Sequence, residues 1–242
     1  MKLDKIEQLQ ELIDKANRIV FFGGAGVSTE SGIRDFRSED GLYALKSKYG
    51  YPYEVMLSHS FYKENPELFF KFYREFMINT AAKPNAAHLY LARLEKRKHL
   101  TVVTQNIDGL HQKAGSKNVL ELHGTIMDNY CERCHKYYSL EDILMQTGVP
   151  RCEKCGGIIK PDVVLYEEAL NSTTIDNALS AISSADLLII AGTSLSVYPA
   201  SGFIRYFRGE HIVLINKSHV ETSVDIDLEI NEPVGKVFSQ LS

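Results

Sequence analysis

The sequence has no long apolar run, no block of like charge and only four cysteines. Its longest apolar runs, such as residues 187–191, are far shorter than the roughly 20 residues that cross a bilayer. The first residues lack the apolar core of a secretion signal, so we expect the chain to stay in the cytoplasm. Basic residues number 27 and acidic residues 31, a formal net charge of −4. Such a surface attracts neither nucleic acid nor anionic membranes from a distance, and we expect neither as a partner.

The four cysteines form two Cys-x-x-Cys pairs, Cys131/Cys134 and Cys152/Cys155, with seventeen residues between the pairs. Because nothing indicates export, we interpret them as reduced thiolates rather than as disulfides. Four thiolates at this spacing are typical of structural Zn²⁺, which they hold tetrahedrally with no open position for chemistry. We therefore predict a structural zinc within a small insert. A redox dithiol is the alternative.

Hydrophobic spacing alternates between helix-like and strand-like along most of the chain. An amphipathic helix is predicted over residues 3–16, followed by a buried strand over 18–22. The next strand, at 100–103, comes more than seventy residues later, with helices opened by Asn65-Pro66 and capped by Asn85 in between. Further strands are predicted at 119–122, 161–165, 187–191 and 212–215. Short apolar strands alternating with helices indicate an α/β fold, a Rossmann-like parallel sheet with helices on both faces.

The long gap between the first two strands exceeds the dozen or so residues that a crossover connection needs, which indicates inserted segments. We expect one domain over residues 1–242. Its large Rossmann-like part would comprise approximately residues 1–35, 85–127 and 160–242. A small module would consist of a helical insert with a cofactor loop, approximately 36–84, and of a zinc ribbon, approximately 128–160.

A glycine-rich turn, Gly24-Ala25-Gly26, follows the first strand. Glycines let a backbone approach a pyrophosphate, and the N-terminus of a following helix would add positive charge. The third glycine of the dinucleotide fingerprint falls at Thr29, so a plain tight turn remains the alternative. The next loop carries Asp35, Phe36 and Arg37. The arginine could contact a phosphate, and the aromatic ring could shield a sugar from water. The alternative is a loop that is only held together by salt bridges.

Polar residues follow two of the later predicted strands directly. Gln105, Asn106 and Asp108 come after the strand at 100–103, where an amide-bearing ligand such as nicotinamide could use them. An Asx-turn at the start of a helix is the alternative. His123 follows the strand at 119–122, and this position makes it the preferred general base among eight histidines, although a lone histidine is more often structural.

Together these motifs resemble the sirtuins, which are NAD-dependent protein deacylases. The resemblance covers nearly the whole chain. It rests on the motifs at residues 24–28, 31–33, 35–37, 104–108, 123–124, 163–168, 192–195, 197–200 and 215–216, and on the four cysteines. It implies NAD as co-substrate, a structural Zn²⁺, and acyl-lysine proteins or peptides as substrates, with nicotinamide and O-acyl-ADP-ribose as products. A mono-ADP-ribosyltransferase or NAD hydrolase using the same site is the alternative.

The resemblance implies three sets of site residues besides the zinc ligands. The catalytic residues are His123 and Asn106. The cofactor-binding residues are Gly24, Ala25, Gly26, Thr29, Asp35, Phe36, Arg37, Gln105, Asn106, Ile107, Asp108, His123, Gly192, Thr193, Ser194, Asn216 and Lys217. The substrate-binding residues are Val163, Val164, Leu165, Tyr166, Ser196 and Val197. A substrate peptide would add as an extra strand between residues 163–165 and 196–197.

Two departures from the family pattern bear on specificity. Glu167 stands where glycine is usual, and we hypothesise that its charge favours basic residues beside the acyl-lysine. Deacylases for succinyl or malonyl groups use a Tyr-x-x-Arg pair, whereas Phe70–Tyr73 lacks this arrangement. An uncharged acyl group, acetyl first, is therefore expected, unless a shift of one residue brings Arg74 into the pair. Arg34 also replaces a proline that is usual in the cofactor loop.

Overall fold

The computed structural model describes residues 4–35 and 49–242. Its strands are β1 Arg18–Gly23, β2 His99–Thr104, β3 Val119–Glu121, β4 Gly124–Cys131, β5 Tyr137–Ser139, β6 Ile159–Val163, β7 Leu187–Ala191, β8 His211–Ile215 and β9 Leu228–Ile230. Its α-helices are α1 Lys5–Lys15, α2 Tyr53–Met56, α3 His59–Glu64, α4 Pro66–Phe72, α5 Ala86–Leu94, α6 Leu110–Ala114, α7 Leu140–Leu144, α8 Ser172–Ser184 and α9 Val234–Phe238. Short 3₁₀ segments occupy Ala25–Val27, Thr29–Ser31 and Ala200–Tyr206, and a π-helical turn occupies Tyr73–Met77.

The central sheet contains six parallel strands in the order β3-β2-β1-β7-β8-β9. Side chains of β1 alternate between two cores because successive residues of a strand point to opposite faces. Ile19 and Phe21 pack against α1, α5 and α9, whereas Val20 and Phe22 pack against α8 and the 3₁₀ segment at Ala200–Tyr206. The expected parallel sheet with helices on both faces is confirmed.

Side-chain caps begin two of the helices that cover the sheet. The Asp4 side chain accepts hydrogen bonds from the first-turn amides of α1, and Asn85 accepts one from the amide of Ala87 in α5. Such caps satisfy backbone donors that a helix leaves unpaired at its start. Both helices confirm the periodicity seen in the sequence. Between Asn65 and Asn85, the predicted helical insert consists of α4 and the π-helical turn that extends it.

Strand β6 departs from the expectation for this region. It begins at Ile159 and pairs antiparallel with β4 in a separate three-stranded sheet, β5-β4-β6, so the prediction of a strand at 161–165 within the parallel series is wrong. The chain passes from β4 through β5 and α7 before it reaches β6, and β4 lies between the other two strands and pairs antiparallel with both.

A third apolar core joins the two inserted segments. Aromatic residues of the helical insert, among them Phe69 and Phe72, share this core with Ile126 of β4 and with Val163 and Leu165. The small sheet and the helical insert are therefore packed together beside the carboxyl edge of the large sheet. None of the helices in the described ranges combines the length and apolar character needed to cross a bilayer.

Candidate active site

The glycine turn after β1 packs directly on the turn after β7. The amides of Gly24 and Gly26 donate to the carbonyl oxygens of Ala191 and Gly192, at 3.0 and 2.8 Å. A Cβ on Gly26 would lie 2.7 Å from the Gly192 Cα, and a Cβ on Gly24 would lie 2.7 Å from the Thr193 Cβ. Only glycine fits at both positions, because the two turns are in close backbone contact.

The α-helix expected after this turn is absent, and that expectation is wrong. The chain continues through the 3₁₀ segments Ala25–Val27 and Thr29–Ser31, too short to supply a helix dipole. The amides of Val27 and Ser28 donate to carbonyls within the turn. The Thr29 hydroxyl also bonds inward, to the Gly26 carbonyl at 3.0 Å. These donors are already used, so the turn offers close approach rather than a full amide cradle.

A chain of hydrogen bonds joins the glycine turn to the polar residues after β2. The Ser28 hydroxyl donates to Asp108 Oδ2 at 2.6 Å and accepts from Asn106 Nδ2 at 3.0 Å. Asp108 Oδ1 accepts from the amide of Leu110 at 2.9 Å, which is the Asx-turn considered as the alternative. The turn and a ligand-binding role are compatible, because each oxygen of the Asp108 carboxylate can accept more than one hydrogen bond. Ser28 was not among the predicted site residues, although it lies in the motif at residues 24–28.

His123 lies between β3 and β4 with its ring held in one orientation. Its Nδ1 is 2.9 Å from the backbone oxygen of Gln105. A carbonyl oxygen only accepts, so Nδ1 carries the proton and Nε2 is left unprotonated. Burial lowers the pKa of His123, against the effect of the bond to Gln105. The ring is therefore neutral at pH 7, with Nε2 ready to accept a proton.

Two further histidines, His88 and His111, are fully buried, with ring centroids 4.7 Å apart. Burial lowers the pKa of His88 to about 4 and that of His111 to about 3. Burial also raises the pKa of Glu121 to about 7, although Gln112 and Thr125 donate hydrogen bonds to its carboxylate. Glu121 was not predicted as a residue of this site. Its place two residues before His123 was the only signal for it in the sequence.

Residues after β2, β7 and β8 complete the carboxyl edge of the large sheet. Thr193, after β7, accepts a hydrogen bond at Oγ1 from Gln105 Nε2 at 3.1 Å. Ser194 and Ser196 are joined by their hydroxyls at 2.5 Å. Asn216, after β8, bonds to the carbonyl of Ser218 at 2.8 Å. The other predicted residues at this edge are Ile107 after β2, Gly192, Val197 and Lys217. Asp35 is the last residue of the first range that the structure describes. Phe36 and Arg37 lie outside the described residues.

The segment expected to bind a substrate peptide runs on from β6. The amides of Val164 and Tyr166 donate to the carbonyls of His123 and Leu57, at 2.9 and 3.0 Å, and the Leu165 amide donates to Glu168 Oε2 at 2.9 Å. The carbonyls of Leu165 and Tyr166 are used as well, by the amides of Glu168 and His59, so an added strand would have to displace some of these bonds.

Glu167 adopts a left-handed backbone conformation, with φ of 75°, which explains why glycine suits this position. Its carboxylate accepts from the Ser60 amide at 2.8 Å and from the Ser60 hydroxyl at 2.9 Å. The charge is therefore directed at the start of α3. The hypothesis that it selects basic substrate residues stays a prediction, and this contact weakens its basis.

Tyr73 and Arg74 are both engaged within the protein. The Tyr73 ring is buried and stacks on Phe69 with centroids 5.9 Å apart. The Arg74 guanidinium donates to the carbonyls of Gln146 and Gly148 beside the small sheet. Even if the Tyr-x-x-Arg pattern is aligned one residue later, the Arg74 guanidinium is therefore not available to bind an acyl carboxylate.

The sulfur atoms of Cys131, Cys134, Cys152 and Cys155 all lie within 4.8 Å of one another. The pair Cys131 and Cys155 is 3.4 Å apart and the pair Cys134 and Cys152 is 3.6 Å apart, and none forms a disulfide. A tetrahedral zinc with Zn–S bonds of about 2.3 Å separates its sulfurs by about 3.8 Å. The four cysteines fit a structural zinc.

A parallel α/β sheet with a polar site at its carboxyl edge and a four-cysteine zinc module defines a nucleotide-using enzyme domain with a structural metal. The model of the Sir2 family matches residues 24–199. The chain belongs to the Sir2 family.

Relatives and solved structures agree with this assignment. The chain is 58% identical over 238 residues to an NAD-dependent protein deacetylase of Clostridium acetobutylicum, with 98% of this chain and 97% of that protein covered. It is 56% identical over 240 residues to an NAD-dependent protein deacetylase of Clostridium perfringens, with 98% of each covered. A structure of Sir2 with p53 peptide and NAD⁺ has a TM-score of 0.84 at 35% identity, covering 99% of this chain and 97% of that one. A Sir2 variant with deacetylated p53 peptide and 3′-O-acetyl-ADP-ribose has a TM-score of 0.86 at 36% identity, covering 97% and 96%.

Proposed function

We propose that this chain removes acyl groups, acetyl first, from lysine side chains of proteins or peptides in an NAD-dependent reaction that yields nicotinamide and O-acyl-ADP-ribose. The observation that carries the proposal is the neutral His123 ring with Nε2 unprotonated, beside a glycine turn that would accommodate a pyrophosphate. The deacetylase names of the relatives and the NAD, peptide and acetyl-ADP-ribose bound in similar structures support it.

His123 is the proposed general base. NAD, when bound, supplies nicotinamide as a leaving group and a ribose that accepts the acyl group. His123 Nε2 would then take the proton of a ribose hydroxyl, while the Gln105 carbonyl stabilises the charged ring through Nδ1. A base whose pKa is lowered by burial is neutral before the reaction, as this role requires.

The other residues would bind and orient. Asn106 would position the ribose, and Asp108 would bond the nicotinamide carboxamide near Ala25 and Ile107. Their mutual link through Ser28 supports this, because it fixes both side chains in advance of binding. The pyrophosphate would lie along residues 24–27. The adenosine ribose and phosphates would contact Thr193, Ser194, Asn216 and Lys217, and we propose that Phe36 covers the sugar carbon while Arg37 reaches a phosphate.

The peptide would bind as an added strand between residues 163–165 and residues 196–197. An uncharged acyl group is favoured because Arg74 is bound to the Gln146 and Gly148 carbonyls. We also propose one catalytic domain over 1–242 that acts in the cytoplasm, with a large part and a small module built from the two inserts. The apolar core shared by those inserts supports a single small module.

Nicotinamide release tests the function directly. The chain is incubated with NAD alone, with NAD and an acetyl-lysine peptide, and with NAD and the unacetylated peptide. Release is expected only with the acetylated peptide, in step with deacetylation, and it should collapse in His123→Ala. The control His99→Ala changes an exposed histidine at the opposite, amino end of β2 and should behave as wild type. Release without acetylated peptide would instead identify an NAD hydrolase or mono-ADP-ribosyltransferase.

A further inference from the structure

The small antiparallel sheet brings a tyrosine hydroxyl to one of the zinc-site sulfurs. Tyr138 Oη lies 3.1 Å from Cys152 Sγ, and the Tyr138 side chain is buried. Cys152 is itself buried, unlike the half-buried Cys134 and Cys155. The contact therefore lies on the inner side of the cysteine cluster, where water does not compete for the sulfur.

The direction of this hydrogen bond follows from its neighbours. The amide of Glu153 donates to Tyr138 Oη at 3.2 Å, so one lone pair of the phenol oxygen is occupied. A metal-bound cysteine is a thiolate and has no proton to give. The tyrosine hydroxyl must therefore be the donor to Cys152, and a donor to a thiolate stabilises its negative charge.

Strand geometry explains why Tyr138 rather than its neighbour makes the contact. In β5, Tyr137 pairs with Tyr130 and Tyr138 with Asn129 of β4, so the two adjacent tyrosines point to opposite faces of the sheet. Tyr138 is 5% exposed and Tyr137 is 52% exposed. The Lys136 ammonium lies 5.2 Å from the centre of the Tyr138 ring and helps to hold it.

We propose that Tyr138 is a positioning residue for the zinc: its hydroxyl fixes the Cys152 thiolate as a ligand and slows loss of the metal. Groups that hydrogen-bond to metal ligands typically contribute a factor of about 10–100 to metal affinity. The same is expected here, and the effect belongs to metal retention rather than to the reaction with NAD.

The test uses the full, zinc-loaded chain and two matched variants, Tyr138→Phe and Tyr137→Phe. Each is titrated with a chromogenic zinc chelator, and both the zinc affinity and the rate of transfer are measured. Tyr138→Phe should bind zinc about 10–100-fold more weakly and release it faster. Tyr137→Phe, which removes an equivalent hydroxyl from the exposed face, should stay within about twofold of wild type on the same reasoning.

Cobalt substitution provides a spectroscopic readout that packing changes alone would not give. In Co²⁺-loaded protein, the sulfur-to-cobalt charge-transfer absorption should shift in Tyr138→Phe and not in Tyr137→Phe, because only the first loses a hydrogen bond to a ligand sulfur. Wild-type affinity and spectrum in Tyr138→Phe would overturn the proposal. Equal weakening in both variants, or failure of Tyr138→Phe to fold in saturating zinc, would also overturn it, since packing would then explain the effect.

Discussion

Removing the Asn85 side chain should disturb helix α5 and the cofactor turn together. Its Oδ1 accepts from the Ala87 amide at 3.0 Å and caps α5, while its Nδ2 donates to the Val27 carbonyl at 2.7 Å and to the Ser31 hydroxyl at 3.0 Å. Loss of an N-cap costs about 1 kcal/mol, and loss of each further hydrogen bond about 1 kcal/mol. Asn85→Ala should therefore lower the free energy of unfolding by about 3 kcal/mol.

A second variant separates the cap from the tether. Asn85→Asp keeps an acceptor for the Ala87 amide but loses the donors, and it places a carboxylate against the carbonyl of Val27. It should lose about 2 kcal/mol. Asn171 provides the control, because it caps α8 through the Thr174 amide at 3.0 Å. Asn171→Ala should lose about 1 kcal/mol, the value of a cap alone.

The assays are urea unfolding of the zinc-loaded proteins and calorimetric NAD binding. Both Asn85 variants should bind NAD more weakly, since they release the segment from Val27 to Ser31, whereas Asn171→Ala should bind as wild type does. The reasoning is refuted if Asn85→Ala and Asn171→Ala lose the same stability and neither changes NAD affinity.

Four further predictions follow from individual contacts. The lowered pKa values of His88 and His111 keep both rings neutral in the native state. Their contribution to the free energy of unfolding should therefore be complete above pH 6.5. Below that pH it should fall by about 1.4 kcal/mol per pH unit for each ring. Glu121, with its pKa raised to about 7, opposes this slope, so between pH 5 and 6 the slope measured by urea unfolding should become steeper by about 1.4 kcal/mol per unit in Glu121→Gln; a slope unaffected by that change would contradict the assignment. Gly26→Ala should abolish NAD binding while the small sheet keeps its zinc, because the new Cβ would lie 2.7 Å from the Gly192 Cα; calorimetry showing unchanged affinity would refute this. Chelation of the zinc should unfold the small sheet first, seen as loss of amide-exchange protection there before the large sheet, and simultaneous loss would argue against a metal-dependent module. In Glu168→Gln, the weakened bonds to His59, Lys160 and the Leu165 amide should raise the KM for peptide several-fold and leave the NAD affinity unchanged, and an equal change in both would point to general loosening.

Local patterns in the sequence were enough for the elements that local physics decides. The apolar spacing of α1, the Asn85 cap of α5 and the continuous apolar run of β7 each specify their element within a few residues. The two cysteine pairs likewise specify a zinc ribbon, because metal geometry dictates their spacing.

Contacts between distant residues could not be read in the same way. The glycine turn leads into 3₁₀ segments because it is held by Gly192, which comes more than 160 residues later. β6 pairs antiparallel with β4 although β5 and α7 lie between them in the chain, and strand propensity does not express such a pairing. Ser28 joins Asn106 to Asp108 across the sheet edge, and the raised pKa of Glu121 depends on burial by several elements.

The central claim is that the acyl group leaves the lysine and is captured by the ADP-ribose part of NAD. A single-turnover reaction of enzyme, NAD and acetyl-lysine peptide, quenched over time and analysed by mass spectrometry, tests it most directly. Nicotinamide, deacetylated peptide and O-acetyl-ADP-ribose should reach equal final amounts, with nicotinamide appearing no later than the other two. Free acetate formed while NAD remains intact would contradict the account, because the amide would then be cleaved by water alone.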